Sequence, residues 1–143
     1  MGLIMDINQL ECAILRLGEM LGEYEKIEEL DRLLQEAVKE SLIQRFEYTC
    51  EVSWKTVKRY LTEYQGYQET MGPKPVIRLG GQLGILDAAK WMEFHSARSA
   101  TSHDYSEDKA KVTVEIIQSF YCEADKLYKN LKNRISEAES ENK

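Results

Sequence analysis

The sequence predicts an all-α fold: an antiparallel four-helix up-and-down bundle with a short extra helix between helices 2 and 3. Three observations carry that expectation. Apolar residues recur in alternating steps of three and four over long stretches. No segment alternates with period two for long enough to make a strand. The only two prolines, Pro73 and Pro75, sit together and divide the chain into two helical halves. Long helices joined by short connections pack antiparallel.

The first helix is expected to begin at an Asp6 cap, with Gln9 closing a capping box. Its seam is Ile7, Leu10, Ile14, Leu17, Leu21 and Tyr24, after which the phase slips to Ile27, Leu30, Leu34 and Ala37. A break near residues 24–30, or a stutter in one continuous helix, accounts for the slip. Ser41 with Gln44 forms a second capping box, so the second helix is expected from about residue 40 to about 65, closed by Gly66. Residues 66–75 read as a loop, and a short helix follows Pro75 and ends at Gly80-Gly81. Asp87 caps the next helix, which runs to about Ala100. Ser106 with Glu107 and Asp108 starts the last one, whose seam is Thr113, Ile117, Phe120, Ala124, Leu127 and Leu131. Residues 6–135 thus form one domain, and 136–143 a polar, frayed tail.

The chain has 143 residues, enough for one domain with its own core, and a formal net charge of −6. That charge excludes a bulk basic footprint for nucleic acid or anionic lipid, so any RNA contact needs a local basic cleft. No apolar run approaches a membrane span and the N-terminus lacks signal-peptide character, so the cytoplasm is the expected location, with no membrane partner. Cys12, Cys50 and Cys122 are far apart and odd in number, which reads as free, mostly buried thiols.

Several chemistries are missing from the sequence. A nucleotidyltransferase of the minimal type needs a Gly-Ser turn and an Asp-x-Asp pair for metal ions, and neither occurs. Gly80-Gly81-Gln82-Leu83-Gly84 lacks the Lys-Ser/Thr of a phosphate loop. His95 and His103 have no companions at zinc-ligand spacing. No metal site and no cofactor are expected.

The informative stretch is Arg98-Ser99-Ala100-Thr101-Ser102-His103-Asp104-Tyr105. A histidine moves protons near neutral pH, and an arginine holds a phosphate through two parallel hydrogen bonds. Together they suffice for metal-independent RNA cleavage, with His103 as general base or acid and Arg98 on the pentavalent phosphate. Five residues turn a helix roughly 140° beyond a full turn, so Arg98 and His103 cannot share a face of one unbroken helix. Either the helix ends between them or two protomers meet there. The structural alternative is that Arg98 pairs with an acid on a neighbouring helix and His103 caps the helix end. Trp54 and Trp91 read as core or dimer-interface aromatics. Lys55, Lys58 and Arg59 read as a solvated face, with Glu51 pairing to Lys55 at i,i+4.

Ile43-Gln44-Arg45-Phe46-Glu47-Tyr48-Thr49, then Glu51, Trp54-Lys55 and Lys58, resembles the second helix of the HEPN-domain nucleotidyltransferase substrate-binding protein family. Pro75-Val76-Ile77-Arg78 resembles that family's short insert, and Trp91-Met92, Arg98, Thr101-Ser102-His103 and Tyr105 its signature. The resemblance spans residues 6 to about 130. It implies a HEPN-like four-helix bundle, a homodimer, and a minimal nucleotidyltransferase encoded by a separate, neighbouring gene as partner. Related HEPN proteins with an Arg-x4-His-x-Tyr pattern act as ribonuclease toxins, with two subunits lining one cleft and the transferase adding AMP to the motif tyrosine. Carried over, this implies Arg98 and His103 as catalytic residues and Tyr105 as the modified or phosphate-contacting residue. Ser99, Ser102 and Arg45 are the supporting residues, and RNA or a nucleotide is the ligand of the cleft. The family's Asp before the arginine and Asn after it are replaced by Ala97 and Ser99, so the acid that would orient the site is lost. Two functions stay open: a toxin-like endoribonuclease, and a non-catalytic nucleotide- or substrate-binding subunit of the transferase complex.

Overall fold

The computed structural model describes residues 4–68, 71–101 and 107–141, with backbone alone at 100–101 and 107–113. Its helices are α1 (Asn8–Glu25), α2 (Arg32–Gln65), α3 (Pro73–Gln82), α4 (Ala88–Thr101) and α5 (Glu107–Glu141). The four long helices and the short α3 match the expected architecture.

Asp6 accepts the Asn8 amide at 2.8 Å, so its carboxylate does serve the first turn, although the capping position itself is Ile7. Gln9 closes no capping box; its side-chain amide donates to the Tyr48 hydroxyl at 3.1 Å. The break after α1 is real, a 3₁₀ turn at Ile27–Glu29 followed by extended Leu30. The second helix starts earlier than expected, however. Asp31 accepts the Leu34 amide at 2.9 Å, and the Gln35 side chain donates to the Leu30 carbonyl at 2.9 Å. With that cap in place and neither Gly nor Pro in residues 32–41, the helix runs straight through Ser41, where a start had been expected. Leu33 and Leu34 are exposed, so the slipped seam does not continue into the core.

Gly66 ends α2 in the left-handed region (φ 74°), as its position predicts. α3 begins at Pro73 and not after Pro75, because both prolines fit a first turn whose amides have no intrahelical acceptor. Gly80 and Gly81 do not end α3 but lie within it. A Cβ on Gly81 would stand 2.6 Å from the Ala88 Cβ and one on Gly80 3.2 Å from the Leu86 Cγ, so the pair lets α3 approach the turn and the start of α4 closely. The turn itself uses Gly84, at φ 73°. Asp87 caps α4 as expected, accepting the Lys90 amide at 3.2 Å. Ser106, the expected cap of α5, lies outside the described residues. At the other end α5 stays helical through Glu141, across most of the segment expected to fray. Glu139 there accepts the Tyr64 hydroxyl at 2.8 Å.

Pairings across the bundle fix the directions. Asp6 meets Arg59 and Ala13 meets Thr49, so α1 and α2 are antiparallel. Glu11 meets Tyr128 and Gly18 faces Tyr121, so α1 and α5 are antiparallel. Lys90 meets Glu123 and Phe94 meets Phe120, which makes α4 and α5 antiparallel too. α2 and α5 form the close diagonal, with α1 and α4 on opposite sides of it. Phe120 sits where α2, α4 and α5 converge. Its ring meets Phe46, Trp91 and Phe94 edge-on, with centroids 5.2, 5.3 and 5.2 Å away. Trp91 is therefore core, and so are Phe46 and Tyr60 on α2. Among the described residues no helix is long and apolar enough to cross a membrane.

Candidate functional site

Arg98 lies in the last turn of α4, where a cation is favoured by the helix dipole. Its Nη2 stands 3.1 Å from Oε2 of Glu51 on α2. The other carboxylate oxygen of Glu51 is 3.5 Å from Nζ of Lys55. One acid thus bridges two cations from two helices. The arginine is 34% and the glutamate 32% exposed, so the pair is open to solvent on one side and packed on the other.

The floor beneath is apolar. Cys50, one residue before Glu51, is buried, and that burial pushes its thiol well above the usual range. Arg98 acts in the opposite sense, while Glu47 and Glu51 reinforce the rise, so Cys50 is a neutral thiol under the ion pair. The three cysteines are free, but Cys12 and Cys122 are exposed, contrary to the expectation of mostly buried thiols. Both sit on polar turns of α1 and α5, off the seams.

On either side of Arg98, Ala97 is half-buried against the core and Ser99 is exposed. The Ser99 hydroxyl donates to the His95 carbonyl at 3.2 Å, turned onto its own helix. An open hollow of about 660 Å³ lies between α4 and α5, lined by Met92, Phe94, Ala97 and Ile116 among others. Ser102, His103 and Tyr105 lie outside the described residues.

Arg45 is six residues before Glu51, which places it roughly 120° around α2. Its buried Nε has no hydrogen-bond partner among the described residues. The expected Glu51–Lys55 pair is present. The sequence leaves open which acid of a neighbouring helix pairs with Arg98; the structure gives that role to the same Glu51 carboxylate. The available signal was Glu51's place in the second-helix motif, next to Cys50 and one turn before Lys55.

The described residues thus form an all-α bundle whose third long helix ends on an arginine tethered to the second. The chain belongs to the nucleotidyltransferase substrate binding protein like family, whose model matches residues 5–133. It is 26% identical over 137 residues to a Haemophilus influenzae protein named probable ribonuclease HepT, covering 91% of this chain and 94% of that one. A solved Haemophilus influenzae structure, described as revealing the fold of a substrate binding domain of a nucleotidyltransferase, matches with a TM-score of 0.79. Its identity is 25%, over 89% of this chain and 99% of that one. A Thermus thermophilus crystal structure matches with a TM-score of 0.63 and 28% identity, over 80% of this chain and 98% of its own. The resemblance read from separated sequence motifs therefore holds.

Proposed function

We propose that this chain is the HEPN partner subunit of a minimal nucleotidyltransferase encoded by a separate gene. Within that pair it acts as the toxin-like, metal-independent endoribonuclease of a two-gene toxin–antitoxin-type system. The observation that carries the reading is Arg98, a solvent-reachable guanidinium held on a defined bearing by Glu51. The name of the Haemophilus relative supports the activity, and the family description supports the partner.

In this mechanism His103 takes the proton of a ribose 2′-hydroxyl as its oxygen attacks the adjacent phosphorus. Arg98 stabilises the pentavalent phosphate through charge-assisted hydrogen bonds, and the 5′-oxygen leaves with a proton from water, giving a 2′,3′-cyclic phosphate and a 5′-hydroxyl end. Ser99 and Ser102 supply supporting polar groups, and Tyr105 is the residue that contacts phosphate or accepts AMP. The active form is a cytoplasmic homodimer whose two 98–105 segments line one cleft. The apolar hollow beside Ala97 supports a second copy packing against α4 and α5. A monomer in sedimentation at micromolar concentration, without the transferase, would count against the dimer.

A specific observation favours the second reading, a non-catalytic nucleotide-binding subunit. Arg98 is engaged by Glu51, and the position before it is an alanine packed on the core. RNA cleavage by the purified chain in excess chelator separates the two. Cleavage that falls roughly 100-fold or more in Arg98→Ala and His103→Ala supports the ribonuclease. Undiminished cleavage by both variants refutes these site residues. Intact RNA with wild-type protein, together with nucleotide binding by calorimetry, supports the second reading.

A further inference from the structure

The face of α2 beside the Arg98–Glu51 pair carries chemistry that the α4 motif does not use. Trp54, Lys55, Lys58, Arg59 and Thr62 fall within roughly 140° of the helix circumference, and Glu51 lies inside the same stripe. Two of the cations are committed to acids: Lys55 to Glu51 at 3.5 Å and Arg59 to Glu63 at 2.9 Å. Lys58 makes no ion pair among the described residues. Its ammonium stands 5.8 Å from the centroid of the half-buried Trp54 ring, with that of Lys55 at 6.0 Å.

One turn further on, the Thr62 hydroxyl is buried and has no hydrogen-bond partner among the described residues. Its neighbours on the same helix behave differently. Thr49, Ser53 and Thr56 each donate to the carbonyl four residues back, at 2.6 Å. Thr62 instead helps line a hollow of about 280 Å³ with Lys55, Lys58, Arg59 and Glu63. An ammonium that pairs with no acid among the described residues and a hydroxyl without a hydrogen-bond partner, one helical turn apart beside an aromatic ring, match the repeating unit of a polynucleotide: phosphate, then base.

We infer that this face of α2 binds the backbone of single-stranded RNA, with a phosphate on Lys58 and Thr62 and a base against Trp54. The inference rests on the ribonuclease reading of Arg98. Glu51 bridges Arg98 and Lys55, so a strand whose scissile phosphate reaches Arg98 continues directly onto this face. Trp54 packs partly against the core and is only half-buried, so an aromatic surface stays beside the lysines; a base covers it, whereas an acidic protein surface would complement the lysines alone, which is why RNA is the occupant.

The test is fluorescence anisotropy of the full chain with a labelled 2′-O-methyl oligoribonucleotide, whose blocked 2′-oxygens prevent cleavage, across a salt series. Lys58→Glu should weaken binding roughly tenfold and lower the salt slope by about one; Lys58→Met, which keeps the stem over Trp54, should give a smaller loss. Thr62→Val should weaken binding without changing the slope. Unaltered melting curves confirm that the variants are folded, and Lys26→Glu, on the exposed turn after α1, should bind as wild type. Wild-type affinity and slope in the Lys58 variants overturn the inference, whether or not they lose the transferase, and so does the absence of RNA binding by the wild-type chain. If Arg98→Ala abolishes cleavage while the Lys58 variants bind normally, the ribonuclease reading stands and this inference falls. If the Lys58 variants lose RNA while Arg98→Ala cleaves as wild type, the reverse holds.

Discussion

Arg98 and Glu51 meet across α4 and α2 at 3.1 Å, and the same glutamate reaches Lys55 at 3.5 Å. A carboxylate with two cations orients both while shielding them from an incoming phosphate. Removing its charge should therefore separate stability from affinity. Glu51→Gln should change unfolding stability by no more than about 1 kcal/mol, because a pair this exposed is screened by water. RNA affinity should rise about twofold to fivefold, since both guanidinium and ammonium are released and a repelling charge is gone. Urea denaturation and anisotropy on the same preparation check the two halves. A weaker affinity would show that Glu51 positions Arg98 for the ligand and does not compete with it.

Tyr105 is the expected acceptor of AMP. A nucleotide attached there would set an anion close to Arg98 in sequence and draw on the same charge-assisted hydrogen bonds that a substrate phosphate needs. Incubation with the transferase, ATP and magnesium should add one AMP to the wild-type chain and none to Tyr105→Phe, as read by intact mass spectrometry. Modification that persists in Tyr105→Phe would move the acceptor elsewhere.

Two glycines should respond in opposite directions to alanine. Gly22 lies within α1 with nothing within 4 Å of a built Cβ, so Gly22→Ala should stabilise by about 0.5–1 kcal/mol through helix propensity alone. Gly81 is also helical, but its Cβ would meet that of Ala88 at 2.6 Å. Gly81→Ala should destabilise by about 1–3 kcal/mol, because α3 and the start of α4 must part. Chemical denaturation of the two variants side by side gives the sign of each.

Tyr128 donates its hydroxyl to Glu11, and that bond, with some burial, raises its ionisation to about 12 from the ordinary 10. A pKa raised on folding stabilises the protein fully below the unfolded value and loses that contribution as pH climbs through the folded one. Stability should thus decline between about pH 10 and about pH 12, and the decline should be shallower in Tyr128→Phe. Thermal melts across that window measure it. Equal slopes in both proteins would mean that the bond contributes nothing.

Much of the fold was legible in the sequence, because helix signals are local. The three-four periodicity of α1 and, from Ile117 on, of α5, the Asp87 cap, the Gly66 stop and the Glu51–Lys55 pair are each decided within a turn or two of backbone, and all are present. Family membership was legible for a related reason: separated motifs keep their order and spacing along the chain. Local signals misled where two of them competed. Asp31 and Ser41 are both acceptable caps, and only the chain's course around the 3₁₀ turn selects Asp31. Pro73 and Pro75 suit a loop as well as a first turn, and the docking of Val76 and Ile77 into the core selects the turn. What tertiary structure alone decided is which faces meet. Periodicity names the buried stripe of a helix, but not its neighbour, its rotation or its axial offset. Those quantities bring Tyr64 to Glu139, allow Gly81 to approach Ala88, and give Glu51 to Arg98 and Lys55 at once. Their contacts depend on packing summed over the whole bundle, and no window of sequence contains that sum.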